Sequence, residues 1–173
     1  VTLQITGVTN GEKVVVQKFM DANGNGAVDN GEILWQQGNL TDGHANTFLD
    51  GATTVTNLNV PGDTDAVAGQ ITAALNLAQS GFEQTIAGKY IYVVTSPFGN
   101  FTPLTNAFTI TNFPYGQTIS GSVIANGTNV PGAAVLLFQP AGNNLNPKGG
   151  AVTDNSGNYQ ISAPPGDYVH VPF

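Results

Sequence analysis

Short alternating runs, each cut off by a turn signal, most limit what this chain can fold into. Lys13-Val14-Val15-Val16-Gln17-Lys18-Phe19 is rich in β-branched residues, and Lys89-Tyr90-Ile91-Tyr92-Val93-Val94-Thr95 adds aromatic ones. Such side chains fit a pleated, half-buried surface, so both runs read as strands. Leu3 and Ile5 alternate with Thr2, Gln4 and Thr6, the stretch 53–60 alternates again, and Ala107-Phe108-Thr109-Ile110-Thr111 follows a Pro-containing loop. Turn signals between them come from Asn10-Gly11, Thr41-Asp42-Gly43-His44 and Pro61-Gly62-Asp63. The segment 69–78 keeps two readings. Ile71, Leu75 and Ala78 sit at helical spacing, yet Ile71, Ala73, Leu75 and Leu77 alternate strictly, and among strands the alternation is favoured. An all-β, antiparallel sandwich is expected.

One loop carries chemistry. From Asp21 to Glu32, oxygen-bearing side chains fall at loop positions 1, 3, 5, 9 and 12, as Asp21, Asn23, Asn25, Asp29 and Glu32. Gly26 occupies position 6, Val28 position 8, and Ala27 at position 7 offers its main-chain carbonyl. This is the spacing of an EF-hand calcium loop, in which alternate side chains of a tight curl converge on a hard cation. A turn rich in Asn, Gly and Asp that binds nothing is the competing reading. The flanks are strands, where an EF-hand has helices: Lys13–Phe19 precedes the loop and Ile33-Leu34-Trp35 follows it. The stretch therefore resembles the calcium loops of bacterial surface-protein B-type modules. It is expected to hold a permanent structural calcium ion and not to work as a sensor, because no helix pair is present to open.

Composition narrows the function classes. The chain has 173 residues and 40% hydrophobic content, enough for one large or two small domains with a substantial core. Only 9% of residues are charged, the net charge is −7 and arginine is absent. Lys13, Lys18, Lys89 and Lys148 are scattered, so no basic stripe exists to neutralise phosphates, and nucleic acid and anionic membrane surfaces are excluded as partners. No apolar run approaches the roughly 20 residues of a membrane span. Zero cysteine removes disulfides, thiol catalysis and zinc–thiolate sites together. Neither a signal peptide nor an initiator Met begins the chain, so a mature form or a fragment is expected. A calcium loop of this kind fills where calcium is plentiful, which points to an extracellular or cell-surface location.

Phe113-Pro114-Tyr115-Gly116 reads as a junction, giving expected domains at 1–113, with the calcium loop inserted, and 114–173. Beyond it come Ile119-Ser120-Gly121-Ser122-Val123, then Val130-Pro131-Gly132-Ala133-Ala134-Val135-Leu136-Leu137. Next are Thr153-Asp154-Asn155-Ser156-Gly157-Asn158-Tyr159-Gln160-Ile161 and Pro164-Pro165-Gly166-Asp167-Tyr168. In that order these resemble the strands and turns of a carboxypeptidase regulatory-like domain, a transthyretin-like fold related to Cna-B modules. The resemblance implies a non-catalytic Greek-key sandwich that serves as a stalk, a spacer or a fold-stabilising appendage. Two consecutive immunoglobulin-like or transthyretin-like sandwiches are therefore expected, the second short by about one strand. A short sandwich leaves an open edge, and strand addition from the N-terminal run 1–7 of a neighbouring copy would complete it. Head-to-tail contacts of that kind do not close and propagate as filaments.

No catalytic constellation emerges. His44 and His170 are the only histidines, and Ser156 lies in a turn and not in a nucleophile elbow. Asp63 and Asp65 form a polar turn, the favoured reading, or a paired-carboxylate site, the one feature that points to an enzyme, or a second, weaker calcium site with Asp42 or Asp50. Cna-B domains can carry a Lys–Asn crosslink, but Lys148 reads as part of an Asn/Pro/Gly loop, so none is expected. Asn39, Asn100 and Asn126 each begin an N-glycosylation pattern. Trp35, Tyr90, Tyr92, Phe98 and Phe101 are candidates for stacking on sugars, against the alternative of core packing. The expected function is structural: a non-enzymatic, calcium-stabilised subunit or repeat of a surface filament that associates with itself. The alternative is an adhesin or carbohydrate-binding module of a larger secreted protein that meets surface glycans.

Overall fold

The computed structural model describes residues 2–49, 53–55, 62–75 and 86–172, and every regular element among them is a β-strand. In chain order these begin with β1 (Thr2–Thr6), β2 (Lys13–Met20), β3 (Leu34–Thr41), β4 (His44–Leu49) and β5 (Thr53–Val55). Then come β6 (Gln70–Ala74), β7 (Ile86–Thr95), β8 (Leu104–Ile110), β9 (Gln117–Ser122) and β10 (Ile124–Ala125). The remainder are β11 (Thr128–Asn129), β12 (Ala134–Ala141), β13 (Asn144–Val152), β14 (Asn158–Ala163) and β15 (Val169–Pro172). The architecture is all-β and sandwich-like, with open sheets.

The chain forms two compact units. One comprises Val1–Phe19, Leu34–Ser80 and Tyr92–Asn106, the other Met20–Ile33, Gly81–Ile91 and Ala107–Phe173. The calcium-loop motif thus groups with the residues of the second unit.

In the first unit β2 pairs antiparallel with β3, β3 with β4, and β4 with β5, while β1 pairs with β6 in a separate ladder. Period-two burial explains why these segments are strands. Val14 and Val16 on β2 are buried between half-buried neighbours, and Ile71 and Ala73 on β6 are buried while Thr72 is half-buried and Ala74 exposed. The 69–78 alternation is accordingly a strand over 70–74, and residues 76–78 lie outside the described residues. Register places Ile5 opposite Ile71 and Leu3 opposite Ala73, so one face of that ladder is apolar. It packs with Val14, Val16, Leu40, Leu75 and Val94 into one core. The 53–60 alternation is a strand over 53–55, its remainder lying outside the described residues.

In the second unit β12 pairs antiparallel with both β13 and β15, and β13 pairs in parallel with the start of β7, Gly150 opposite Ile86 and Ala151 opposite Ala87. A separate two-stranded sheet joins β9 to β14, and β10–β11 is a small hairpin turning at Asn126 and Gly127. Val135, Leu137, Ala151, Ile161 and Ala163, drawn from β12, β13 and β14, form the core between the sheets. Lys148 corrects one reading. It lies within β13 and not in a loop, as the extra residue of a bulge, because Leu137 faces Gly149 while Phe138 faces Pro147. A bulge accommodates one unpaired residue without ending the ladder.

Candidate metal centre

The loop 21–32 is closed at its neck by Met20, whose N–H donates to the Ile33 carbonyl at 3.0 Å. Asp21 N–H donates to the Lys89 carbonyl at 3.0 Å, and Asn155 Nδ2 reaches the Asn23 carbonyl at 3.4 Å. A Cβ on Gly132 would stand 2.8 Å from the Ala22 Cβ, so the second residue of the loop seats directly on a glycine. Gly26 has φ +77°, the left-handed conformation in which an L side chain is strained, and this allows the curl the motif demands.

Inside the loop each predicted ligand has a partner. Asp21 is 5% exposed; its Oδ1 accepts from Asn25 N–H at 3.1 Å and its Oδ2 from Gly26 N–H at 3.0 Å. Asn23 Oδ1 accepts from Asn25 N–H at 2.9 Å, and Asn25 Oδ1 from Ala27 N–H at 2.8 Å. The amide nitrogens of Asn23 and Asn25 both donate to Asp29 Oδ2, at 2.6 and 2.7 Å. Glu32 reaches back across the loop, accepting Ala22 N–H on Oε1 at 3.2 Å and Asp29 N–H on Oε2 at 3.1 Å. Sequence spacing alone therefore brings Asp21, Asn23, Asn25, Asp29 and Glu32 into one hydrogen-bonded ring; Ala27 enters through its N–H.

The donor set is oxygen only, which suits a hard cation such as calcium in kind. In arrangement the loop is closed on itself. Among the described residues no three or more His, Cys, Asp or Glu side chains gather closely enough to hold a metal ion. At Asp29 two amide N–H groups, from Asn23 and Asn25, take the position of positive partner. Asp29 Oδ2 spends both of its lone pairs on these amides, so a cation there needs the Asn23 and Asn25 amides to turn away from it. Lys89 adds a competing charge: a Cβ on Gly24 would lie 2.5 Å from its Nζ, which places the ammonium against the loop.

The other acidic candidates are anchors of backbone. Asp63, 3% exposed, accepts Thr72 N–H at 2.9 Å and Asp65 N–H at 3.2 Å on Oδ1, and Gly43 N–H at 2.8 Å on Oδ2. Asp65 accepts Val67 N–H at 2.8 Å, and hydrogen bonding, led by Thr72, holds its carboxyl below the usual range. Asp50 lies outside the described residues. Sequence reasoning missed two further anchors. Asp42 Oδ2 accepts Gly11 N–H at 2.8 Å and Gly69 N–H at 3.0 Å, while its buried Oδ1 and the buried Thr41 Oγ1 have no hydrogen-bond partner. Glu12 accepts from the hydroxyls of Thr9 and Ser96 and from Asn100 Nδ2, which together hold its carboxyl below the usual range.

The aromatic candidates for sugar stacking separate. Tyr90 is 1% exposed and stacks on Phe108 with centroids 5.8 Å apart, Trp35, Tyr92 and Phe101 are half-buried, and Phe98 is 71% exposed. An exposed aromatic pair lies elsewhere, Phe113 and Tyr115, with ring centroids 4.9 Å apart. The His170 ring meets Tyr159 through Nδ1 and the phenol oxygen at 2.7 Å.

A cleft of about 770 Å³ opens in the second unit. Its lining includes the small residues Ala87, Gly88, Gly121 and Ala151 and the polar residues Ser120 and Gln160. No helix among the described residues is long and apolar enough to cross a membrane. No protein-family model matches the chain, and neither a curated protein nor a solved structure shows significant similarity to it.

Proposed function

We propose that the chain is a non-catalytic, extracellular structural protein, a calcium-stabilised subunit or repeat of a surface fibre assembled head to tail by strand addition. The finer architecture belongs to the same reading: two immunoglobulin-like or transthyretin-like sandwiches, the second related to carboxypeptidase regulatory-like domains. The observation that carries it is the two-stranded β9–β14 sheet of the second unit, which borders the cleft. Among the described residues neither strand pairs with a third, and a sheet edge with free N–H and C=O groups is a template for another strand. The occupant is a second copy of this chain, whose run 1–7 pairs with its own β6 along one edge and offers the other edge, and such heterologous contacts propagate.

Calcium has a local role in this reading. Asp21, Asp29 and Glu32 repel one another, and a cation replaces that repulsion with a link between the β2 and β3 ends of the loop. Negative-stain microscopy of the full chain with calcium tests the assembly. Filaments or short linear oligomers are expected, and isolated particles of a single size at every concentration contradict it. A second reading, an adhesin or carbohydrate-binding module, is favoured by the exposed Phe113–Tyr115 pair. Saturable binding to a glycan array, lost on substituting either ring with alanine, would support it.

A further inference from the structure

Five Asn–Gly dipeptides occur in this chain, at Asn10, Asn23, Asn25, Asn30 and Asn126, and the structure treats them differently. Asn–Gly is the sequence in which a backbone nitrogen most easily attacks the preceding side-chain amide, because glycine puts no Cβ in the way. The reaction needs a free glycine N–H and a side chain able to swing onto it.

Three of the five are held. Gly11 N–H is committed to the buried Asp42 carboxylate at 2.8 Å. Asn23 is pinned at both ends of its amide, by Asn25 N–H and by Asp29. Asn25 is pinned in the same way, and its partner Gly26 N–H is committed to Asp21 at 3.0 Å. Asn30 is the opposite case. It is exposed, its side chain makes no hydrogen bond among the described residues, and nothing lies within 4 Å of where a Gly31 Cβ would stand. Two hydrogen bonds span its turn, from Glu32 N–H to the Asp29 carbonyl at 3.2 Å and from Asp29 N–H to Glu32 Oε2 at 3.1 Å, and neither uses Asn30 or the Gly31 N–H.

We infer that Asn30 is a self-modification site at which the folded chain converts asparagine to aspartate and isoaspartate. The Gly31 nitrogen bonds to the Asn30 Cγ and gives up its proton, the Cγ–Nδ2 bond breaks, and ammonia leaves with that proton. Water then opens the resulting five-membered imide at either carbonyl. One opening yields aspartate, which puts a new negative charge between Asp29 and Glu32. The other yields isoaspartate, which lengthens the main chain by one carbon between those acids. That consequence for cation binding rests on the calcium reading above; the chemistry does not.

Peptide mapping by mass spectrometry tests it, on the full chain held in warm, mildly alkaline buffer, folded and in denaturant. Electron-based fragmentation separates the two products. In denaturant all five sites should convert. In the folded chain Asn30 should convert at a rate within a few-fold of its denatured rate, while Asn10, Asn23 and Asn25 slow by tenfold or more. Asn126, exposed but fixed by the paired β10–β11 flanks, serves as the internal reference. The inference is overturned if Asn30 stays unmodified while Asn126 converts, or if the three held sites convert as fast as Asn30. Asn30→Ala should abolish the change in that peptide alone.

Discussion

The Asn25 amide nitrogen donates to Asp29 Oδ2 at 2.7 Å, joining loop positions 5 and 9 where a calcium loop would place the cation between them. The loop is thus prefolded by its own amides, and a bound metal would have to replace one set of bonds with another. Asn25→Ala removes both this bond and the acceptor for Ala27 N–H. It should lower stability without calcium by about 0.5–1.5 kcal/mol per lost bond, read from denaturant unfolding in chelator.

Calcium itself should raise the melting temperature. At a free concentration a hundredfold above the dissociation constant the gain is about 2.7 kcal/mol. Glu32→Gln should abolish the calcium-dependent part and also lower the chelator melt, because one of the two oxygens that accept Ala22 N–H and Asp29 N–H becomes an amide nitrogen. Differential scanning calorimetry with and without chelator checks both, and superimposable melts of the parent chain count against the metal.

Two titrating groups set opposite ends of the pH profile. The Glu12 carboxyl is held below 4.5 in the folded chain by Thr9, Asn100 and Ser96. Its contribution is therefore full above the unfolded value and is lost as pH falls through the lowered folded value. Lys18, buried on β2, has its ammonium pushed down to about 8 from 10.5 by desolvation. Between those values the unfolded chain holds the proton and the folded chain sheds it, so stability rises from about pH 8 to 10.5. Urea midpoints measured across pH should show both slopes, with Glu12→Gln flattening the acid one and Lys18→Met the alkaline one.

The core of the second unit predicts a large single-site effect. Leu137 is fully buried among Val135, Ala151, Ile161 and Ala163. Leu137→Ala should cost about 2–5 kcal/mol. Gly26→Ala acts through backbone instead, since its φ of +77° disfavours any Cβ by about 1–2 kcal/mol. Chemical denaturation of each variant measures the difference.

What was legible in the sequence was local. The alternation at Val14, Val16, Ile71 and Ala73 carries its own burial signal, so β2 and β6 could be read residue by residue. The loop was legible because the hydrogen bonds that its own ligand-type side chains make fall within twelve consecutive positions, 21–32. The roles of Asp42 and Glu12 were not. Their partners lie as far as Gly69 and Asn100, and nothing in a Thr-Asp-Gly turn announces a distant amide. The parallel pairing of Gly150 with Ile86 was equally hidden, because glycine and alanine on β13 carry no pattern that fixes a neighbour. Lys148 was misplaced for a related reason: Asn, Pro and Gly around it read as a loop, while the ladder to β12 holds the segment extended through a bulge.

Hydrogen–deuterium exchange of the full chain in calcium, dilute and then concentrated, tests the self-assembly claim most directly. Strand addition predicts that amides of residues 117–122 or 158–163, on the β9–β14 sheet, and amides of the run 1–7 gain protection together as concentration rises. Ser120→Lys, which places a charge in the cleft lining, should remove that gain while leaving the core amides of β12 protected. Exchange at both segments that is identical at every concentration, in a species of constant monomer mass, would contradict the account.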